Sequence, residues 1–248
     1  MNILITGSSS GIGLQLARDY LAHSNTVYCC GRNAAVLKTL KSEFRDFAQI
    51  VCFDVQLRDD CKSSLSMLPA MDLVILNAGT CEYINATNFD SELFERVVKT
   101  NLIGTANCLE FLIPKIKPGG NLALMGSSSS YLPLPRAEAY GASKAAIEYL
   151  AKTLSLSLKS NAVSVSYIAP GFVQTPLTEL NDFPMPMSVS VKYASDKIRA
   201  GLGKNKVEIN FPLAFIWILK IIRALPIGLQ QLLVAKLLRT NNVVAESG

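Results

Sequence analysis

Tyr140 and Lys144 stand four residues apart in a stretch, 136–159, whose apolar spacing reads as a helix. Positions i and i+4 share a helix face, so the phenol and the ammonium point into the same space. A neighbouring cation favours phenolate and lowers a tyrosine pKa toward neutrality, as a proton donor working near pH 7 requires. Taken alone, the same spacing also describes a surface helix pair. Upstream, the run Gly126-Ser127-Ser128-Ser129-Ser130 closes an apolar strand, Asn121–Met125, and so sets Ser127 at the carboxyl edge of a sheet. Near the start, Thr6-Gly7-Ser8-Ser9-Ser10-Gly11-Ile12-Gly13 joins a strand to a helix. Gly7, Gly11 and Gly13 permit a tight turn and a close approach of backbone to a pyrophosphate at the helix N-terminus, although an ordinary flexible turn has the same composition.

The elements that must position these groups alternate along the chain. Strands are expected at Asn2–Thr6, Thr26–Gly31, Ile50–Phe53, Leu73–Leu76, Asn121–Met125, Val163–Ile168 and Val207–Asn210. Helices are expected at Gly11–His23, Ala34–Phe44, Asn88–Ile116 and Arg136–Lys159. Near-continuously apolar strands separated by helices imply a parallel sheet covered on both faces. Right-handed crossovers then make it doubly wound, Rossmann-like, in three αβα layers. Residues 1–206 read as one catalytic domain, with a Pro/Met/Ser-rich stretch at 176–206 expected to be a mobile substrate segment. Residues 207–248 add a last strand and an apolar, basic helical extension to the same domain.

The composition excludes several classes. Half of the 248 residues are hydrophobic and 17% are charged, which suits a single large core rather than a disordered chain. The six cysteines form no C-x-x-C pair and His23 is the single histidine, so neither a zinc site nor any other metal site is expected. A reducing, cytoplasmic setting fits these cysteines, and Met1 runs straight into a strand with no leader-like region. The net charge is +5, and residues 201–248 hold six cations (Lys204, Lys206, Lys220, Arg223, Lys236, Arg239) against Glu208 and Glu246. The basicity therefore belongs mainly to the tail and is no nucleic-acid footprint.

Taken together these motifs resemble the short-chain dehydrogenase/reductase family. Its T-G-x-x-x-G-x-G matches Thr6 to Gly13, its N-A-G matches Asn77-Ala78-Gly79, and its Y-x-x-x-K matches Tyr140 and Lys144. Leu76 stands where many members have a second Asn. The family's Ser precedes its Tyr by 13 residues, which selects Ser127, with Ser128 as fallback; its Asn matches Asn101, and P-G-x-x-x-T matches Pro170, Gly171 and Thr175. The resemblance implies a nicotinamide cofactor held by Gly7, Ser9, Ser10, Gly11, Ile12, Gly13, Asn77, Ala78, Gly79, Tyr140, Lys144, Pro170, Gly171, Val173 and Thr175, with Asp54 and Val55 at the adenine. It implies catalysis by Asn101, Ser127, Tyr140 and Lys144, with Asn101 holding a water that links Lys144 to solvent. The second strand ends Gly31-Arg32-Asn33 without an acid, and members with Arg there prefer NADP(H); NAD(H) stays open, as does a merely solvated Arg32.

The expectation is thus an NADP-dependent oxidoreductase interconverting a ketone or aldehyde and an alcohol on a hydrophobic small molecule. A 3-oxoacyl-thioester reductase and a non-catalytic NADP-binding sensor or scaffold are the alternatives. By resemblance the chain would be a homodimer or homotetramer through the helices at 88–116 and 136–159. In the tail, Phe211–Leu225 and Leu229–Arg239 are too short to span a bilayer, and Pro226 separates them. Lys220 with Arg223, and Lys236 with Arg239, share helix faces, which fits a lid, an interface, or peripheral contact with a membrane surface through 211–239.

Overall fold

The computed structural model describes residues 1–179, 181 and 183–235. Its strands are β1 (Asn2–Thr6), β2 (Thr26–Gly31), β3 (Ala48–Cys52), β4 (Met71–Leu76), β5 (Ile116–Met125), β6 (Ser164–Pro170) and β7 (Glu208–Phe211). They form one seven-stranded sheet in the order β3-β2-β1-β4-β5-β6-β7, with every neighbouring pair parallel. The order reverses between β1 and β4, paired Ile3 to Leu73 and Ile5 to Ile75, and ligands of such sheets bind in the crevice beyond that switch point.

Successive strand residues point to opposite faces, and both faces are apolar. Ile3 and Ile5 of β1 enter one core, with residues of α1 (Gly11–Leu21), α2 (Ala34–Phe44) and α7 (Val191–Leu202). Leu4 enters the other, with α3 (Arg58–Leu65), α5 (Gly104–Leu112), α6 (Glu138–Ser157) and α8 (Leu213–Arg223). A further helix, α9, is described over 227–235 and adds Val234 to that second core.

The structure departs from the sequence expectation in four places. The helix expected over 88–116 is three pieces: α4 (Ser91–Val98), a widened π turn at Lys99–Ile103, and α5. β5 begins five residues early, at Ile116, which pairs with Met71; the register then shifts, and the chain bulges through Pro118-Gly119-Gly120 before Asn121 pairs with Leu73. α3 was not expected, since it buries only Cys61 and Leu65. The stretch 176–206 contains α7, whose Ser190 side chain caps Tyr193 N and whose Ala194, Ile198 and Leu202 pack on the sheet.

Candidate active site

β1 and β4 end at the switch point, and the loops that leave them are stitched together there. Thr6 Oγ1 accepts from Asn77 N at 2.9 Å and Ala78 N at 3.0 Å, while Asn77 Nδ2 donates to Thr6 O at 3.0 Å. The turn is close enough that a Cβ on Gly13 would lie 2.2 Å from Gly7 O and 2.5 Å from Asn77 Nδ2, so only glycine fits. Asn77 and Ala78 therefore shape the loop through Thr6. Ser8 is likewise internal, its hydroxyl donating to Ile5 O at 2.6 Å. Ser10 occupies the N-cap of α1 in extended conformation and makes no side-chain cap bond. The first amides of a helix have no intrahelical acceptor, so those after Ser10, at Gly11, Ile12 and Gly13, suit a pyrophosphate.

At the far end of this cradle, Gly31 lies beside Ser9, whose Oγ a Cβ at Gly31 would meet at 3.4 Å. The next residue, Arg32, has a 70% exposed side chain and pairs with Asp54 at 3.4 Å. Val55 packs on Gly104 and its carbonyl accepts from Asn107 Nδ2. On the other flank Thr175 touches Gly11, where a Cβ would meet Thr175 Cγ2 at 3.2 Å. Thr175 is fixed by Thr178, Val173 bridges Val189, and Gly171 N donates to Phe211 O at 2.8 Å after Pro170 ends β6.

The side chains expected to be catalytic converge beside Gly79. A Cβ there would sit 3.0 Å from Asn101 Oδ1 and 3.5 Å from Lys144 Nζ. Lys144 Nζ donates to Met125 O at 2.9 Å and lies 5.6 Å from the centre of the Tyr140 ring. Ser127 comes directly after Gly126 at the end of β5, and its hydroxyl hydrogen-bonds the Tyr140 phenol and accepts from Ser129 N at 3.1 Å. It is thus Ser127, not Ser128, that reaches Tyr140. Behind it Tyr167 OH donates to Ser127 O at 3.2 Å, and Tyr167's ring fills the space where a Cβ on Gly126 would lie, 2.0 Å away. Asn101 is buried within the π turn, a distortion that recurs at functional sites. Its Oδ1 accepts from Thr80 N at 2.8 Å, and its Nδ2 donates to Thr80 O at 2.9 Å and Ser143 Oγ at 3.0 Å. Ser143 in turn donates to Tyr140 O at 2.7 Å.

The family model described as short chain dehydrogenase matches residues 1–183. The chain is a short-chain dehydrogenase. An uncharacterized oxidoreductase of Myxococcus xanthus is 31% identical over 218 residues, which cover 84% of this chain and 86% of that one. The chloroplastic chlorophyll(ide) b reductase NOL of Arabidopsis thaliana is 32% identical over 228 residues, 80% of this chain and 65% of that one. BdcA, solved in complex with NADPH, shares the fold with a TM-score of 0.75 at 19% identity, over 84% of this chain and 92% of that one. As a family member the short-chain dehydrogenase is an NAD(P)-dependent oxidoreductase of CH–OH and C=O groups.

The electrostatics correct one expectation about this dehydrogenase. Burial pushes the Tyr140 phenol above its ordinary value, the nearby Cys81 thiol adds to this, and only the Ser127 hydrogen bond opposes it. Burial also lowers Lys144, to about 8. The sequence predicted a cation drawing the phenol down. In the fold both groups leave water together, which disfavours both charged forms, and the ammonium is turned to a main-chain carbonyl.

Sequence reasoning missed several residues of the dehydrogenase's site. Cys81 lies close enough to act electrostatically on Tyr140 and Lys144 and hydrogen-bonds Tyr83. Tyr83 begins an aromatic wall: its ring meets Phe183 at 5.3 Å, Phe183 meets Phe172 at 6.1 Å, and Phe172 meets Phe215 of α8 at 5.6 Å. Arg136 lies 5.4 Å over the Tyr83 ring. These residues come from four separate parts of the chain and have no mutual spacing to read. Ser143 was findable, one helical turn from Tyr140. Among the described residues no His/Cys/Asp/Glu group is placed to hold a metal, and no helix is long and apolar enough to cross a membrane.

Proposed function

We propose that the chain is an NADP-dependent reductase of hydrophobic carbonyl compounds, working reversibly between ketone or aldehyde and alcohol. The observation that carries this reading is the convergence of the Ser127 hydroxyl, Tyr140 phenol and Lys144 ammonium beside Gly79, next to the aromatic wall that starts at Tyr83. The glycine cradle and the uncapped start of α1 fit a dinucleotide, and when bound its reduced nicotinamide supplies a hydride to the carbonyl carbon. Ser127 donates a hydrogen bond to the carbonyl oxygen and holds it at Tyr140. Tyr140, kept protonated by burial, gives its proton to the oxygen as negative charge develops there, yielding the alcohol. Lys144 would hold the ribose hydroxyls of a bound dinucleotide, and its positive charge next to the site stabilises the phenolate left behind.

Asn101 has a positioning part beside the water-holding one that the family resemblance implies. Both ends of its amide are bonded to Thr80 and Ser143, so its side chain clamps the β4 loop against α6. NADP(H) is favoured over NAD(H) because Ser9 and Arg32 sit at the end of β2 where no acid stands to take a ribose 2′-hydroxyl. The relative from A. thaliana, named a chlorophyll(ide) b reductase, lends support to a hydrophobic substrate. Exposed Tyr149 and Leu156 on α6, and Ile103 before α5, favour a homo-oligomer built through these helices. Peripheral contact of the tail with a membrane belongs to the same reading.

The experiment is NADPH oxidation measured across a panel of aliphatic and aromatic aldehydes and ketones. Tyr140→Phe is expected to reduce kcat about a thousandfold. Undiminished turnover in that variant would remove Tyr140 from the reaction.

A further inference from the structure

A surface helix ordinarily buries its apolar stripe and offers its charges to water. α8 buries one apolar stripe and exposes another. Its cations lie at the edge between them, held by carboxylates: Lys220 Nζ donates to Glu208 at 2.8 Å, Arg223 meets Glu148 at 3.4 Å, and the two flank the Tyr131 ring at 4.8 and 5.8 Å. Ile216, Leu219 and Ile222 anchor the helix in the core. The opposite face carries Leu213, Trp217, Ile218 and Ile221, with Trp217 and Ile221 each 62% exposed. Across Pro226 the apolar surface continues on α9 through Ile227 and Leu232, 66% and 63% exposed. A contiguous apolar face of this kind marks a contact surface.

We infer that this outward face is a docking surface for an anionic lipid bilayer, into which α8 and α9 lie flat. Three observations select that occupant. Trp217, an amphipathic ring suited to the headgroup level, sits amid aliphatics on the exposed face. The rim holds three cations (Lys152, Lys220 and Arg223) against two carboxylates (Glu148 and Glu208), with Lys152 and Arg223 60% and 48% exposed. The sequence continues from α9 with Lys236 and Arg239. A two-fold contact with a second copy would set this positive rim against itself. Insertion is thus led by the apolar face, with the cations as its border, rather than by the Lys220/Arg223 pair as a basic stripe. The inference deepens the proposed function and rests on it for one consequence only. Phe215 of α8 packs on Phe172 beside Gly171, so the same helix joins the bilayer to the aromatic wall, and the substrate class is a membrane-dissolved, lipid-like carbonyl.

Trp217 is the sole tryptophan, so its emission reports on this face directly. The full chain, without substrate or cofactor, is mixed with vesicles of equal parts phosphatidylglycerol and phosphatidylcholine. The expected result is a blue shift, quenching by brominated acyl chains, and co-sedimentation that Ile221→Glu weakens at least about tenfold while leaving Trp217 in place and the thermal melt unchanged. An unshifted emission with no co-sedimentation overturns the proposal. So does a shift that depends on protein concentration without lipid, which assigns the face to a second copy. Turnover of water-soluble carbonyls is measured separately, so failure of docking and failure of the catalytic reading are told apart.

Discussion

Two groups of cations in this molecule differ in what holds them. Lys220 and Arg223 of α8 and Lys152 of α6 meet carboxylates: Glu148 accepts from Lys152 at 2.5 Å and faces Arg223, and Glu208 takes Lys220. Lys144, one turn before Glu148 on the same helix, is 4% exposed and has a carbonyl as its acceptor instead of an acid. Burial by itself would raise the Glu148 carboxyl, yet hydrogen bonds from Lys152 and Ser130 outweigh it and hold the carboxyl below its usual value. At Lys144 only the nearby Cys81 opposes burial, and the ammonium falls to about 8. A buried charge is tolerated structurally when it is paired; one left without a counter-charge destabilises the fold and is retained for what it does. The exposed Arg32, loosely paired with Asp54, lies between these cases.

Three perturbations of these cations sharpen the contrast. The largest effect is expected at Lys144. Its folded pKa is lowered, so the unfolded chain binds more protons between about 8 and the ordinary 10.5, and stability must rise with pH through that window. Below about 8 the full destabilisation applies, roughly 3 kcal/mol. Lys144→Met should lose turnover and abolish that part of the pH dependence in urea unfolding. Matching slopes in the two proteins would place Lys144 with the paired cations. Next comes Glu148→Ala, which leaves Lys152 and Arg223 without their shared acid and removes a carboxylate whose side chain is 6% exposed. About 2 kcal/mol of stability should be lost, given that Arg223 is half exposed. A melt unchanged by this substitution would mean that the apolar contacts alone hold α8. The smallest is Arg32→Ala. Stability should stay within about 0.5 kcal/mol, whereas the ratio of NADPH to NADH affinity, at least tenfold in the wild type, should collapse toward one, about 1.4 kcal/mol. Equal affinities in the wild type would remove Arg32 from cofactor choice.

Legibility in the sequence divides along the same line. The motif at Thr6–Gly13 was readable because Gly13 crowds Gly7 O within the loop itself, although Asn77, which ties the same loop, comes from 71 residues away. Tyr140 and Lys144 were readable because helical spacing puts them on one face. The direction of their pKa shifts was not, because desolvation depends on what covers them, and Met125, Cys81 and Ser127 arrive from elsewhere in the chain. The pairing of Lys220 with Arg223 on one face of α8 was also correct, but which way that face turns was not in the spacing. The second pair, Lys236 and Arg239, lies outside the described residues.

By itself, then, the sequence determined the layered parallel sheet and the glycine turn, and it put forward the hydroxyl, phenol and ammonium of the candidate site. The sheet, the turn and the Tyr140/Lys144 pair rest on a period or a contact within a few residues, whereas Ser127 came from the family resemblance. The tertiary structure decided the rest. It made Asn101 a clamp between Thr80 and Ser143, assembled the aromatic wall from Tyr83, Phe172, Phe183 and Phe215, and turned the cations of α8 toward Glu148 and Glu208. Charge and apolar surface are satisfied by whatever the fold brings near them, and the carboxylate that meets Arg223, Glu148, lies 75 residues away along the chain.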